Sequence, residues 1–491
     1  MPGDTYPTKD EVDVIRRNKA RRADFDQVSL SEVHEYTELE LRKLSAAATV
    51  LRDGFNYMDI RMNSWSGAGA AAAALYQHYG VPKHYAGWVK KRKISHEQET
   101  AHACYYGGHI ELIKQGYTEV RHYSYDIRSA YPSEMIDLPS MIGAKVRRYE
   151  DGVSWEKVEQ ASKISKFLIR WRLPIFYVNQ EGRLRNIPFF PLPYRLPGGG
   201  ILFPSEGSGW YMRDDALAAK KWLETFWRLS CGMLGVTPLG YGADIPAKAA
   251  RVMETMQIPG VVEVTRQKRF ASPSKPDKWH GLNLMICEAE IYAIDAKQPK
   301  PFAWIGELFA ERARIKREEP GNVAEQNIKL SLNSLSGKAA QSVGGSDDEP
   351  PATVCPWYAA ATTAGTRRRV MEAALQNPHA IVQFSTDGIV SLEPLDLPIG
   401  DGLGQWEADE LICDLQGRGA LYALSGVYTN YPESEGKDTT KTRGMSPGNI
   451  VRATSATIRD LLLGKFRPAW QMPCDPADPA TWPRVEFSAL K

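Results

Sequence analysis

The sequence predicts an α+β fold. Helical spacing of apolar residues marks several long segments, whereas short apolar or aromatic runs between Pro- and Gly-rich turns mark strands elsewhere. We find no fixed-period repeat and no low-complexity tract. At 491 residues the chain is too long for one ordinary core, and its length predicts about three or four domains or subdomains.

The helices are predicted from capping signals and apolar spacing. One begins at Ser29 and continues through Leu44, and a second runs from Gly67 to Tyr79, with Gly80 as its end signal. The alanine run in the second helix predicts a close-packing face. The other predicted helices are Asp214–Arg228, the two halves of 301–341 that meet at Pro320-Gly321, and Trp357–Leu375.

Strands are predicted in three regions. One strand, ending in a turn, is expected within 115–135, and short strands are expected at Phe167–Trp171 and Phe176–Val178. A strand pair with a tight turn is expected at Ile381–Leu392. Residues 1–30 are polar and basic and show no clear apolar period, so no element is predicted there.

The composition is that of a soluble globular protein, with 43% hydrophobic and 24% charged residues. A net charge of only +2 does not by itself indicate nucleic-acid binding, so any such footprint is expected to be local. The basic clusters are Lys90–Lys93, Arg147–Arg148, Arg312–Arg317 and Arg367–Arg369. A solvated surface is the alternative interpretation of each cluster.

The six cysteines are scattered and include no Cys-x-x-Cys pair, which argues against a zinc site and against a disulfide framework. No apolar run approaches about 18 residues, and the first residues are polar and charged. Neither a transmembrane helix nor a secretory signal is therefore expected. The sequence predicts a cytoplasmic protein without a membrane partner.

The segment Tyr125–Met135, Tyr-Asp-Ile-Arg-Ser-Ala-Tyr-Pro-Ser-Glu-Met, is the most informative in the chain. Asp126 ends a strand-like run, has the pattern of a buried carboxylate, and is followed at once by a turn. A rigid carboxylate in this place can hold Mg²⁺ next to a backbone and a ring that receive a nucleotide. The segment resembles motif A of family B DNA polymerases, Asp-x-x-Ser-Leu-Tyr-Pro-Ser, with Ala130 in place of Leu.

The predicted helical hairpin carries a second motif. Lys329, Asn333 and Gly337 recur every four residues and share one helix face, and Arg312 and Lys316 are four apart on the preceding helix. Three cations facing one groove suit a triphosphate, because each can make charge-assisted hydrogen bonds to its oxygens. An ordinary basic amphipathic hairpin is the alternative. The pattern resembles the family's fingers, Arg-x-x-x-Lys followed by Lys-x-x-x-Asn-Ser-x-Tyr-Gly.

The segment Gln383–Ile389, Gln-Phe-Ser-Thr-Asp-Gly-Ile, places Asp387 at the tip of an apolar strand pair. On its own this sequence also fits a plain hairpin turn. It resembles motif C of the same family, Tyr-x-Asp-Thr-Asp-Ser, with Ser385 in place of the first Asp and Gly388 in place of Ser. Only a palm-like sheet would bring Asp387 to Asp126.

The resemblance implies a right-hand polymerase fold with palm, fingers and thumb, preceded by a partial exonuclease-like region. The expected divisions are an exonuclease remnant and linker over 1–114, palm segments over 115–150 and 346–400, a palm continuation with an insertion over 151–300, fingers over 301–345 and a thumb over 401–491.

The resemblance also implies template-dependent addition of dNTPs to a 3′-hydroxyl by two-metal catalysis. Asp126 and Asp387 would be the catalytic residues and, with the Ile127 backbone, would hold two Mg²⁺ ions, or Mn²⁺ in their place. The expected dNTP-binding residues are Arg312, Lys316, Lys329, Asn333, Ser129, Ala130 and Tyr131. The Tyr131 ring is expected to exclude a ribose 2′-hydroxyl.

Flanking segments carry the expected contacts to a primer–template. The residues Tyr105, Gly107 and Gly108 resemble a Tyr-x-Gly-Gly element that contacts template backbone in protein-primed and organellar or viral members; a plain turn is the alternative. Tyr428 resembles the start of the thumb, where the family's Lys-x-Tyr lysine is missing. Lys441 and Arg443 are the candidate replacements for that lysine.

Several departures from the family keep other interpretations open. Only Glu35–Glu40 is similar to an exonuclease motif, so no 3′–5′ proofreading is expected, and a separate exonuclease subunit or a terminal protein is an expected partner. The expected setting is replication of a phage or mobile element in a bacterial host cytoplasm. The alternatives are a reverse transcriptase or RNA polymerase palm, and a catalytically reduced nucleic-acid-binding subunit, which Ser336, Ser385 and Gly426 favour. The primer is not identified by the sequence.

Overall fold

The computed structural model describes residues 8–20, 27–57, 59–62, 67–89, 94–118, 120–178, 184–196, 199–233, 283–341, 351–411, 420–424, 426–430 and 439–442. The helices are α1 (Lys9–Ala20), α2 (Leu30–Tyr57), α3 (Ala68–His78), α4 (His96–Ala103), α5 (Ala130–Met135), α6 (Trp155–Gln160), α7 (Arg213–Met233), α8 (Ile305–Glu318), α9 (Val323–Ala339) and α10 (Pro356–Ala374). The strands are β1 (His109–Leu112), β2 (Gly116–Thr118), β3 (His122–Ile127), β4 (Lys145–Tyr149), β5 (Lys166–Arg172), β6 (Phe176–Val178), β7 (Leu184–Asn186), β8 (Tyr194–Arg195), β9 (Ile201–Leu202), β10 (Glu206–Met212), β11 (Asn283–Ala293), β12 (Ile381–Thr386), β13 (Gly388–Ser391), β14 (Trp406–Leu411), β15 (Ala420–Leu424), β16 (Val427–Asn430) and β17 (Thr439–Thr442).

The central sheet has five strands in the order β1-β12-β13-β3-β14, and all neighbouring strands are antiparallel. The hairpin β12–β13 is buried along most of its length, since both of its faces are covered. It lies next to β3 in the sheet, and Gly388 is the register partner of Asp126. The sheet therefore brings the two predicted catalytic segments together, as expected.

A second antiparallel sheet, β10-β5-β11-β4, takes β5, β10 and β11 from the described part of residues 151–300 and β4 from the segment just before it. Its apolar face, which includes Phe167, Ile169 and Trp171, packs with α7 and the central sheet in one hydrophobic core. The side chains of β5 alternate between this core and the opposite face, as the pleat of a strand requires. The strands predicted at Phe167–Trp171 and Phe176–Val178 are confirmed.

The predicted hairpin of 301–341 consists of α8 and α9. It turns at Gly321, whose φ of 91° lies in the left-handed region that favours glycine. Asn322 then caps α9, because its side-chain oxygen accepts a hydrogen bond from the Ala324 amide at 2.9 Å. The break at Pro320-Gly321 is thus confirmed.

Helices α2 and α3 pack against the α9 side of this hairpin. The alanines Ala71, Ala72 and Ala74 are buried where α3 packs against α9, which confirms the predicted close-packing face. The Tyr76 hydroxyl donates a hydrogen bond to the Leu335 carbonyl at 3.2 Å. Helix α2 continues beyond the predicted Leu44 to Tyr57 and also contacts α9.

Helix α1 forms in a segment for which the sequence predicts no element. It is short and polar, and ion pairs hold it on α2: Lys19 with Glu40, and Glu11 with Lys43, each at 3.0 Å. The ion pairs with α2 therefore stabilise a helix whose sequence has no regular apolar spacing to predict it. None of the helices in the described ranges is long and apolar enough to span a membrane.

The arginine cluster Arg367–Arg369 on α10 is not a surface for nucleic acid. Arg367 is buried and paired with Asp215, and Arg368 pairs with Asp214 at 2.9 Å. Arg369 donates to the Ser133 hydroxyl at 3.1 Å and to the Gly404 carbonyl. Each guanidinium therefore joins α10 to another element, and the expectation of a local basic footprint is wrong for this cluster. Lys90–Lys93 lie outside the described residues.

A third sheet, β17-β16-β15-β2, joins three strands that follow the central sheet in the chain to β2, which lies between β1 and β3. Its strand β15 is linked to β3 by a hydrogen bond of 2.7 Å between the His122 ring and the Tyr422 hydroxyl. Burial lowers the pKa of His122, which favours the neutral ring. Most of the segment predicted as a thumb, including Arg443, lies outside the described residues.

Candidate active site

One cleft of about 870 Å³ collects the predicted catalytic and nucleotide-binding residues from separate parts of the chain. The residues that line it are Asp126, Ile127, Arg128, Ser129, Ala130, Tyr131, Pro132, Phe309, Arg312, Ala313, Lys316, Arg317, Lys329, Asn333, Asp387, Asp401 and Glu407. All residues predicted as catalytic, as metal ligands or as dNTP ligands are among them. The structure therefore brings these residues together, whereas their individual roles stay predictions.

Asp126 lies near the end of β3, where the strand turns into α5. The neighbouring Tyr125 points to the opposite face of the sheet, is buried, and accepts a hydrogen bond from the Leu395 amide at 2.9 Å through its hydroxyl. Alternation along the strand thus turns Asp126 into the cleft, where its side chain is exposed to solvent. The expectation of a buried carboxylate is wrong, because the apolar run belongs to the other face.

The turn after β3 has an unusual backbone. Ser129 has φ 50° and ψ 54°, a left-handed conformation, and Ala130 begins α5 directly after it. Ala130 is buried, and the half-buried Tyr131 lines the cleft beside it. The tight turn therefore delivers three consecutive predicted ligands to one wall.

Asp387 lies in the turn that joins β12 to β13. Its backbone amide donates to the Ser385 carbonyl at 2.9 Å, and its carbonyl accepts from the Ile127 amide at 3.0 Å. The preceding Thr386 has φ 73°, which is strained for a β-branched residue. The two segments are thus joined by a backbone hydrogen bond at the point where their carboxylates face the cleft.

Gly388 occupies the position where the related motif has Ser. A Cβ atom there would lie 2.9 Å from Asp126 Oδ1 and 3.0 Å from the Tyr125 carbonyl oxygen. Both distances are shorter than ordinary van der Waals contact. The missing side chain at Gly388 therefore gives Asp126 its place in this cleft.

The cleft raises the pKa of Asp126 to about 7. Desolvation by the surrounding walls is the largest cause, even though solvent reaches the carboxylate through the open side. The carboxylates of Asp387 and Glu407 raise the pKa further, whereas Arg128 lowers it. Carboxylates that crowd each other in this way gain from a bound cation, which relieves their repulsion.

The acidic residues fit a hard divalent cation of the Mg²⁺ type. Within the described ranges, no three or more Asp, Glu, His or Cys side chains are grouped so as to hold one ion. Mg²⁺ is commonly held by one or two carboxylates, with water and substrate phosphates completing its shell. Asp126 and Asp387, together with the backbone beside them, are sufficient for that kind of site.

Glu407 and Arg128 belong to the cleft, and the sequence did not indicate them. Glu407 is the register partner of Asp126 on β14. The Arg128 guanidinium lies 3.4 Å from Glu407 and 3.0 Å from Asp401, and its Nε donates to the Gly400 carbonyl at 2.9 Å. The acidic edge of the cleft is therefore partly neutralised by a cation of the motif itself.

The opposite wall of the cleft is formed by the hairpin. On α9, Lys329 and Asn333 are exposed toward the cleft, while Ile328 and Leu332 are buried in the core. Gly337, predicted on the same face, is exposed but does not line the cleft. The helix thus presents a polar face to the cleft and an apolar face to α3.

Three cations of α8, Arg312, Lys316 and Arg317, also line the cleft. Arg312 donates its Nε to Glu325 at 2.8 Å, so that a carboxylate of α9 orients its guanidinium. Lys316 lines the same wall, and in the described part of the chain no acidic side chain forms an ion pair with it. These cations face the carboxylate wall across the cleft, which suits a polyanion bound together with cations.

Tyr105, Gly107 and Gly108 lie outside the cleft, and Gly108 lies next to the motif C turn. Gly108 contacts Thr386, since a Cβ at 108 would lie 2.8 Å from the Thr386 Cα. The Tyr105 carbonyl accepts a hydrogen bond from Arg195 at 2.5 Å. This segment therefore packs against other parts of the fold, through Gly108 on Thr386 and through Tyr105 on Arg195.

The described residues predicted at the start of the thumb lie on neighbouring strands. Tyr428 stacks on Tyr422 with ring centroids 5.8 Å apart, and it is the register partner of Lys441 on β17. The sheet therefore pairs the backbones of Tyr428 and Lys441.

Comparison with known proteins gives a family match and similar solved structures. Residues 9–221 match the family of type B DNA polymerases described as organellar and viral. Phi29 DNA polymerase complexed with primer-template DNA is similar in structure, with a TM-score of 0.50 and 15% sequence identity over 86% of this chain and 66% of that chain. Its orthorhombic crystal form gives a TM-score of 0.51 at 14% identity. None of the curated proteins matches this sequence.

The structural similarity confirms the predicted fold, a right-hand polymerase with palm, fingers and thumb. The chain spans just under two thirds of the length of the solved polymerase that it matches.

Proposed function

We propose that this chain, in which residues 9–221 match the organellar and viral type B DNA polymerases, extends a DNA primer on a template by adding deoxynucleotides to the 3′-hydroxyl. The observation that carries the proposal is the cleft in which Asp126 and Asp387 face Arg312, Lys316 and Lys329. Carboxylates on one wall and cations on the other match the needs of a metal-bound triphosphate.

In this proposal Asp126, Asp387 and the Ile127 backbone hold two Mg²⁺ ions. When bound, the ions would supply Lewis-acid activation of the 3′-hydroxyl and neutralise charge on the leaving pyrophosphate. Asp126 has to lose its proton first, and Arg128 favours that loss because its positive charge lowers the pKa of the carboxyl group. No side-chain nucleophile is needed for such a reaction.

The hairpin orients the nucleotide. Lys316 and Lys329 would bind phosphate oxygens as point charges, whereas Arg312, aligned by Glu325, would donate from its remaining guanidinium nitrogens. Asn333 and the turn Ser129–Tyr131 complete the pocket, with the Tyr131 ring under the sugar. The charged wall stabilises the negative charge that develops as pyrophosphate leaves.

We further propose that the primer–template runs past Tyr105, Gly107 and Gly108 on one side of the cleft. Tyr428, Lys441 and Arg443 would also contact it. Binding to the phosphate backbone makes salt-sensitive affinity the expected behaviour.

The proposed division of the chain keeps an exonuclease remnant and linker over 1–114, palm over 115–150 and 346–400, an insertion over 151–300, fingers over 301–345 and thumb over 401–491. Proofreading would then depend on a separate exonuclease subunit, and a terminal protein is a candidate primer. Replication of a phage or mobile element in a host cytoplasm is the proposed setting.

The test is extension of a labelled DNA primer on a template with Mg²⁺ and dNTPs. We expect extension by the wild type and none by Asp387→Asn. Asp396→Asn is the matched control, because this exposed carboxylate does not line the cleft, and it should extend as the wild type does. Primer–template binding without extension by the wild type would instead support a catalytically reduced binding subunit, which the serine at position 385 favours.

A further inference from the structure

We propose that Arg367 and Asp215, a buried ion pair outside the cleft, are positioning residues for Asp387. They would act through the segment Tyr106–Gly108 and through Thr386. The inference deepens the proposed function and rests on it, since it gives the pair a part in the chemistry of the cleft. Neither residue lines the cleft.

The pair is bidentate and closed to solvent. Arg367 Nε lies 2.9 Å from Asp215 Oδ1, and a terminal nitrogen lies 2.9 Å from Asp215 Oδ2. The side chains are 2% and 1% exposed, so neither charge can be satisfied by water if the other is lost. The pair joins α10 to α7 and fixes the orientation of the guanidinium.

The remaining guanidinium nitrogen holds a backbone segment. It donates to the Tyr106 carbonyl at 2.8 Å and to the Gly107 carbonyl at 2.6 Å. The Tyr106 ring stacks on Tyr211, with centroids 5.6 Å apart, which holds the segment from its other side. Asp215 thus orients Arg367, and Arg367 fixes the position of the segment Tyr106–Gly108 through these two hydrogen bonds.

The end of this segment touches the catalytic turn. A Cβ at Gly108 would lie 2.8 Å from the Thr386 Cα and 2.9 Å from its Cβ, so the two backbones are in contact. His109, the next residue, is the register partner of Thr386. Thr386, with its left-handed φ of 73°, directly precedes Asp387. A movement of the segment would therefore displace the turn that carries the carboxylate.

A neighbouring pair shows what a simple clamp between the two helices looks like. Arg368 and Asp214 lie 2.9 Å apart and also join α10 to α7, but the hydrogen bonds of Arg368 go to Asp214 and Glu372. Only Arg367 also reaches the segment beside the catalytic turn. Variants of the Arg368–Asp214 pair therefore test the loss of a link between the two helices alone, whereas variants of the Arg367–Asp215 pair also test the loss of the contact with the segment.

The experiment compares Arg367→Lys and Asp215→Asn with the matched controls Arg368→Lys and Asp214→Asn. Mn²⁺ affinity of the free protein is measured by electron paramagnetic resonance, and kcat, the KM for dNTP and the Mg²⁺ requirement are measured by primer extension. Every variant is assayed where circular dichroism shows it folded. For Arg367→Lys and Asp215→Asn we expect about tenfold weaker Mn²⁺ binding and a lower kcat, with the KM for dNTP nearly unchanged. The controls should keep the Mn²⁺ affinity and kcat of the wild type.

Gly108→Ala tests the other end of the connection and leaves the buried pair intact. It should reproduce the weaker Mn²⁺ binding, whereas Gly87→Ala, whose methyl group would meet no atom within 4 Å, should keep the wild-type Mn²⁺ affinity. Should Arg367→Lys and Asp215→Asn fail to fold, this glycine comparison decides.

Wild-type Mn²⁺ affinity and kcat in folded Arg367→Lys and in Gly108→Ala would overturn the proposal. Equal losses in Arg368→Lys would overturn it as well. A wild type that binds Mn²⁺ but extends no primer would count against the proposed function alone, because the Mn²⁺ measurements still test the positioning.

Discussion

Gly388 lies opposite Asp126 across the strands β13 and β3, so close that a Cβ at 388 would lie 2.9 Å from Asp126 Oδ1. We therefore expect Gly388→Ala to displace the Asp126 carboxylate and to weaken Mn²⁺ binding by about tenfold. Electron paramagnetic resonance of the free protein measures this effect. Gly87→Ala is the control, because a Cβ at position 87 would meet no atom within 4 Å. Unchanged Mn²⁺ affinity in Gly388→Ala would contradict the prediction.

Cation binding should depend on pH. A cation competes with the proton on Asp126, whose pKa is raised to about 7. Mn²⁺ affinity of the free protein should therefore rise as the pH increases from 6 to 8 and level off above that range. Asp126→Asn should bind Mn²⁺ weakly and should not show this rise. Equal affinity of the wild type at pH 6 and pH 8 would refute the prediction.

The same raised pKa predicts a stability change without metal. Between about pH 4 and pH 7 the folded protein holds a proton on Asp126 that the unfolded chain has lost, so stability falls as the pH rises through this window. The full penalty is present above about pH 7. Asp126→Asn should therefore raise the melting temperature at pH 8 by roughly 1–4 °C and leave it almost unchanged at pH 3. Differential scanning calorimetry in a chelator measures this, and a lower melting temperature at pH 8 would count against it.

The contact between Glu325 and Arg312 predicts an effect on nucleotide binding. Glu325→Gln keeps the shape but removes the charge that aligns the Arg312 guanidinium at 2.8 Å. We expect the KM for dNTP to rise by about three- to tenfold, as for loss of one charge-assisted hydrogen bond. Glu311→Gln is the control, because Glu311 pairs with Arg314, which does not line the cleft. A KM as high in the control as in Glu325→Gln would show that the effect is not specific.

Sugar selection is expected to depend on the Tyr131 ring. Tyr131→Val removes the ring from the cleft wall and should raise incorporation of rNTPs relative to dNTPs by about tenfold or more. Tyr131→Phe keeps the ring and should discriminate as the wild type does. The ratio of kcat/KM for the two nucleotides in single-nucleotide primer extension is the measurement. An unchanged ratio in Tyr131→Val would remove Tyr131 from this role.

The residues of the cleft could be predicted because three short segments carry both the residue types and the order of a known site. The break at Pro320-Gly321 and the alanine face of α3 were predictable for local reasons, which the backbone of Gly321 and the burial of Ala72 bear out. Local sequence contains the information for such features. It is enough for turns, caps and helix faces.

Long-range pairing accounts for what the sequence did not reveal. Glu407 reaches the cleft through the register of β14 against β3, and no local pattern encodes that register. The cluster Arg367–Arg369 resembles an exposed basic run, since its partners Asp214 and Asp215 lie far away in the sequence. Asp126 looked buried because the apolar run before it faces the other side of the sheet. In each case the structure depends on a contact between residues that are far apart in the sequence.

The packing of α9 on α3 restricts how this chain can be recombined with its relatives. A chimera with a junction between His78 and Ile305 would join the apolar face of one α9 to the alanine face of another α3. Bulk added at Ala72, which is fully buried, would have to be matched by loss of bulk on α9. Helix α3 and the hairpin are therefore expected to be inherited together, and an exchange of the hairpin wall of the cleft between relatives should include both.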